Sequence, residues 1–438
     1  MSVQKKYRGK RTGKLPAWKK NVLICGIVLL ALEGLYCLAV YSDIPFIAKL
    51  GRIYIDTAMS TMRHQWLATD FIPEKVIDEV MEQLEQSRNE QVGVNSTWET
   101  EPESSAPSAP SAPSSGPTED DPPDPAAQEP LPPETSEAEV AFYDLFRELD
   151  RKTMQSYLND HPESLANGWD QIYINEAGLD DSGTSIRTTQ GDQVLAVDAV
   201  NGILLIRVRG SGYRGVLAIG HDPAKLSVKT ASTIGRWGQY AGTIASENGG
   251  VLAMTASSFL DEDEEGNLGK GNGGILCGYA MSDGVGSGDH MSYGYKRLEI
   301  HSDNRMYVTD ALSPVGETTR DAVEFTPAMI VDGKIIVDQY CGWNAVNPRA
   351  CIGQNDREEI LLLCIEGRLI LTSLGTGVVE CANILSRYGC MQAMNLDGGT
   401  SAILWYQGEC VIQCSNTDCP YGRTLPNAFV YSGKRLDQ

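Results

Sequence analysis

Positive charge and histidine are both scarce in this chain of 438 residues. The formal net charge is −22, and there are five histidines. A phosphate backbone needs a Lys/Arg surface to displace its counterions, so nucleic acid is excluded as a partner. No histidine lies in a cysteine signature, and no CxxC spacing occurs among the eleven cysteines. That removes the usual zinc arrangements and a Cys–His nucleophile. An odd cysteine count leaves at least one thiol unpaired. Cys410, Cys414 and Cys419, in a loop-like stretch, are the best placed to pair, whereas Cys364 and Cys381 read as buried thiols.

The scarcity of positive charge is uneven. Residues 1–20 hold Lys5, Lys6, Arg8, Lys10, Arg11, Lys14, Lys19 and Lys20 and no acid. They precede an apolar run, 22–42, whose one charge before Tyr41 is Glu33. Roughly twenty apolar residues span a bilayer core, and a signal peptide has a shorter run ending in a small-x-small cleavage site. The expectation is an uncleaved single-pass anchor in the cell membrane. The basic tail, 1–21, would then lie in the cytoplasm and the C-terminal domain outside. Glu33, costly in lipid, marks a possible contact with a membrane partner.

Residues 43–92 predict a juxtamembrane helical stalk, with Val76, Val80, Met81 and Leu84 recurring at helical spacing over 66–91. Residues 93–137 are Pro-, Ser- and Ala-rich, and between Glu99 and Glu139 there are eleven acids and no base. Such a segment buries too little apolar area to fold and reads as an extended, disordered linker. A helical lead-in, 138–165, precedes a globular domain, 166–438. There, apolar runs such as QVLAVDAV, GILLIRVRG, GVLAIG, EILLLCIEG and RLILTSLG alternate with helices near 238–248 and 377–388. The fold class expected is α+β, a mixed β-sheet core with flanking helices.

Three glycine-flanked segments put polar groups at strand ends: NPRACIGQ (347–354), CIEGRL (364–369) and MNLDGGTSAIL (394–404). In the last, a strand runs into Asp397, Gly398 and Gly399, then Thr400 and Ser401. The glycines allow close backbone approach, and the N–H groups that follow suit an anion. Arg349 offers a planar fork that matches phosphate. Each segment alone also fits an ordinary turn.

In this order and spacing, with IGHDPAKLSVKTA, GQYAGTIASENGGVLAMTASSF and GRTLPNAFVY, the chain resembles the phosphodiester glycosidase family over roughly residues 190–432. That family includes exopolysaccharide-related bacterial proteins. Two departures stand out: Thr255 lies where the family usually has an asparagine segment, and Glu366-Gly367-Arg368 replaces Asp-Gly-Arg. The resemblance implies hydrolysis of a sugar-1-phosphodiester in a surface or wall glycan. Asp397 would be the first catalytic carboxylate, Glu366 the second, and Arg349 the phosphate cation. Asn395, Gly398, Gly399, Thr400, Ser401, Thr255 and Asn427 would contact substrate. No cofactor is implied; a divalent cation is compatible with these carboxylates but not called for. The alternative is a catalytically impaired glycan-binding or envelope-assembly protein of the same fold.

Overall fold

The computed structural model describes residues 17–59, 65–98, 136–263, 265–267, 269–339 and 341–436. Most of the basic tail and nearly all of the Pro-rich segment lie outside the described residues. The chain divides into two compact units, Met1–Val80 and Met81–Gln438.

In the first unit, one helix, Ala17–Tyr41, is long and apolar enough to cross a membrane. Helix Pro45–Met59 follows, and Ile55 and Ala58 form a small apolar cluster with Ala68 and Ile77. The helix expected over 66–91 is two pieces, Trp66–Thr69 and Glu74–Glu90. Pro73 separates them, since proline disfavours helix in the residue before it and suits a helix start.

The second unit is built on a nine-stranded sheet. Its order is Tyr173–Asn175, Gln193–Asp198, Ile203–Gly210, Tyr213–Gly220, Ile360–Ile365, Arg349–Asn355, Cys390–Asn395, Ala328–Val331 and Lys334–Ile335. All pairings are antiparallel, and the core is α+β with flanking helices, as expected. Successive side chains on a strand face opposite ways. Accordingly Ile360, Leu362 and Cys364 enter one core, and Leu361, Leu363 and Ile365 the other. A sheet covered on both faces explains why its strands read as unbroken apolar runs.

One face carries helices Glu137–Leu145, Arg151–Asp160 and Val378–Arg387 through Phe142, Phe146, Met154, Val378, Cys381 and Leu385. The first two start cleanly because the Ser136 and Asp150 side chains accept from the N–H groups of Glu139 and Thr153. The other face meets two five-stranded sheets. One has the order Met306–Asp310, Lys296–His301, Thr319–Phe325, Ala280–Ser282, Val285–Ser287. The other runs Glu409–Cys410, Leu404–Tyr406, Gly250–Thr255, Asn427–Ser432, Leu226–Thr230.

Two findings differ from the sequence reading. RLILTSLG is not a strand. It is a tight turn closed by Leu369 and Ser373, and it leaves Ile370 87% and Leu371 97% exposed. Arg368 has φ 60° and Gly375 φ 104°, so the backbone reverses at both ends. Residues 81–92 of the expected stalk and 93–98 of the expected linker also belong to the globular unit. Gln91 exchanges side-chain bonds with the backbone of Ala328, Ser96 bonds Val308, and the Asp332 carboxylate accepts from Thr97 and Trp98. The Pro-rich segment therefore leaves and re-enters the same unit. All eleven cysteines are free thiols, Cys410, Cys414 and Cys419 included.

Candidate functional site

Strand Arg349–Asn355 pairs on one side with Ile360–Ile365 and on the other with Cys390–Asn395. Arg349 faces Ile365, and Cys351 faces Asn395. The three glycine-flanked segments thus emerge side by side on the edge formed by strand ends in the middle of the sheet. Their glycines are there because the segments touch backbone to backbone. A Cβ on Gly398 would stand 2.7 Å from the Pro348 carbonyl, and one on Gly367 would stand 2.6 Å from the Pro348 nitrogen.

Asp397 occupies the centre of this edge. Ser401 and the Gly398 N–H hydrogen-bond its carboxylate, and the Arg423 charge favours ionisation while Asp261 opposes it. Burial outweighs these and pushes the carboxyl up to about 6. Arg423 is itself held on Asp261 by two guanidinium nitrogens and donates to the Gly271 carbonyl at 2.7 Å. Cys277 is near enough for the Asp397 charge, after burial, to raise its thiol. Thr400 and Ser401 follow on a single turn, and the Thr400 hydroxyl accepts from Ser415 at 3.1 Å.

Arg368, not among the residues expected at the site, lies near enough to feel the charge of this carboxylate. The Arg368 guanidinium donates to Asn347 Oδ1 at 3.0 Å, and a side chain at Gly399 would meet it at 3.3 Å. Burial and then the Arg349 charge lower its pKa, while Asp397 raises it. Among the described residues no carboxylate lies within ion-pair distance of it. The Glu366-Gly367-Arg368 segment places an arginine here, but its positive φ, not its sequence, decides which way the side chain turns.

Other expected site residues are engaged elsewhere. Arg349 is buried and donates to the carbonyls of Trp343, Ala345 and Thr376. Glu366 is fully buried, 2.5 Å from Arg214 Nε, and accepts from the Gln413 N–H at 2.9 Å. Asn395 donates to the Thr326 carbonyl at 2.8 Å. Asn427 bonds both the N–H and the hydroxyl of Ser257. Thr255 is fully buried in its strand, and its hydroxyl has no hydrogen-bond partner. The structure brings together Asp397, Gly398, Gly399, Thr400 and Ser401, with Arg349, Glu366 and Asn395 bonded in and beside the adjoining strand ends.

One set of metal-ligand-type side chains occurs among the described residues: Glu148, His221 and Glu359, with ligand atoms within 4.8 Å of one another. It lies at the far end of strand Ile360–Ile365 from Asp397. Arg147 already stands 3.3 Å from Glu148 and 3.6 Å from Glu359, so the two carboxylates share a cation.

An antiparallel sheet assembly with an acidic, arginine-flanked edge is the class that fold and site define. Residues 243–432 match the phosphodiester glycosidase family, in keeping with the resemblance its motifs carry. Three solved structures are also similar. The zebrafish N-acetylglucosamine-1-phosphodiester alpha-N-acetylglucosaminidase catalytic domain, auto-inhibited by its pro-peptide, is 16% identical with a TM-score of 0.43. It covers 53% of this chain and 82% of its own. A Burkholderia pseudomallei protein is 13% identical, TM-score 0.39, over 50% of this chain and 74% of its own. A Synechocystis protein is 13% identical, TM-score 0.36, over 52% and 61%. No curated protein matches.

Proposed function

We propose that this chain is a membrane-anchored, extracellular hydrolase that cleaves the bond between a sugar and phosphate in a phosphodiester-linked surface or wall glycan. The observation that carries this reading is Asp397, a carboxyl raised to about 6, at a strand end where the Arg368 guanidinium lies beside Gly399 and feels the Asp397 charge. A phosphomonoester leaves readily, so the site needs little help from a general acid. It needs a cation on the phosphate and a carboxylate that stabilises the oxocarbenium charge or activates water. Arg368 supplies the first and ionised Asp397 the second. Gly398 and Gly399 let the diester approach the backbone, and Ser401 fixes the carboxylate's orientation.

Arg349 and Glu366 act one layer behind. Arg349 ties the strand end to the loop 343–345. Glu366, with Arg214, fixes the segment from which Arg368 projects. The test is incubation of the purified full-length protein with UDP-N-acetylglucosamine and other sugar-1-phosphodiesters. Free sugar released by the wild type and absent with Asp397→Ala supports the reading. Release equal in the two, or none from any diester, defeats it.

A further inference from the structure

The turn after Arg368 has no role in the chemistry above, and its composition is out of place in water. Ile370 is 87% exposed, Leu371 97% and Leu374 50%. A single exposed aliphatic is ordinary on a protein surface, but here three are grouped within five residues. The support is firm. Leu369 and Ser373 exchange backbone bonds at 2.8 and 2.9 Å, and the Arg368 N–H bonds the Leu374 carbonyl at 3.1 Å. Buried Ser373 donates to the Glu366 carbonyl at 2.6 Å and accepts from the Arg214 N–H at 3.2 Å. The turn is a stapled finger with an apolar tip and a guanidinium at its base.

A bilayer is the surface that the rest of the chain points to. Helix Trp18–Tyr41 is long and apolar enough to cross one, and residues 42–90 are all the chain between that helix and Gln91, which is bonded to the globular unit. A covalent tether of this kind raises the local concentration of lipid surface, so a small apolar tip suffices for docking. The arrangement of apolar tip and basic base also matches the order of acyl chain and phosphate in a leaflet.

We propose that Ile370, Leu371 and Leu374 form a membrane-docking finger that seats in the lipid leaflet and brings the Arg368 mouth to the level of the lipid phosphates. It favours a diester carried on a lipid, a step that rests on the function proposed above.

The test uses the full-length protein held in phosphatidylcholine nanodiscs by its apolar helix, comparing Leu371→Trp with wild type. Leu371 touches little, so the substitution leaves the fold intact, and the difference spectrum isolates the added indole. Docking predicts blue-shifted emission, protection from acrylamide, and about twofold or greater quenching by phosphatidylcholine brominated on its acyl chains. Ile370→Trp should behave alike. Emission open to acrylamide and insensitive to bromine overturns the proposal. So does emission shielded from acrylamide but unquenched by bromine, which would mean that protein covers the tip. No turnover is read, so an inactive Asp397 site leaves this result standing.

Discussion

Asp397 keeps its proton to about pH 6 because its surroundings withhold the water a carboxylate needs. Its ionised form does the chemistry proposed, so kcat/KM should rise with pH through about 6 and level off above it, as a profile from roughly pH 4 to 8 would show. Stability should move the other way. Between 3.8 and about 6 the folded chain holds a proton that the unfolded chain has released, so folding weakens as pH rises through that window. Asp397→Asn should therefore abolish turnover yet raise Tm, with a gain on the order of 1–3 kcal/mol at neutral pH. Differential scanning calorimetry beside the diester assay reads both. Arg368→Ala should lower kcat/KM by about a hundredfold, and Arg368→Lys should recover part of it, since an ammonium keeps the charge but not the fork. Asp397 was legible from its strand-end glycines. Arg368 was not, because a positive-φ residue after Gly367 gives no hint in sequence of which way its side chain turns.

At the scale of elements, the site edge is a contact of three strand ends, and its stiffness comes from buried charge. Glu366 and Arg214 are both buried and 2.5 Å apart. Removing one partner strands the other's charge, so Glu366→Ala should cost about 3–5 kcal/mol by denaturant unfolding, while the double change to Leu at 366 and Met at 214 recovers most of it. Activity per folded molecule should survive Glu366→Gln far better than Asp397→Asn, a comparison that separates a positioning carboxylate from a reacting one. The apolar runs gave the central strands plainly, because a sheet covered on both faces leaves no polar interruptions. The same cue misled at RLILTSLG, where apolar residues gather on a turn between Arg368 and Gly375. Periodicity likewise ran the stalk helix through Pro73, although proline's effect on the preceding residue was visible there. The antiparallel order of the nine strands could not be read at all, since pairing depends on partners far along the chain.

Over the whole molecule, residues 81–98 belong with the globular unit, and Asp332 is their main fastening. Its carboxylate receives bonds from the Thr97 N–H and hydroxyl, the Trp98 N–H and Gln392, and these hold it below its usual range against the cost of burial. A lowered carboxyl stabilises above its ordinary value and loses that contribution as pH falls through its folded value. Asp332→Ala should loosen the segment, with the amides of Thr97 and Trp98 exchanging at least about tenfold faster in hydrogen-exchange mass spectrometry. Composition identified the Pro-rich stretch but not the attachments before it, since Gln91, Ser96 and Thr97 bond Ala328, Val308 and Asp332 across more than two hundred residues of chain. Those attachments change what a protease can accomplish. A nick anywhere in 99–135 does not shed the Asp397 edge from the apolar helix. It leaves two polypeptides clasped through Gln91, Ser96 and Trp98, two bands on a denaturing gel that still travel as one particle.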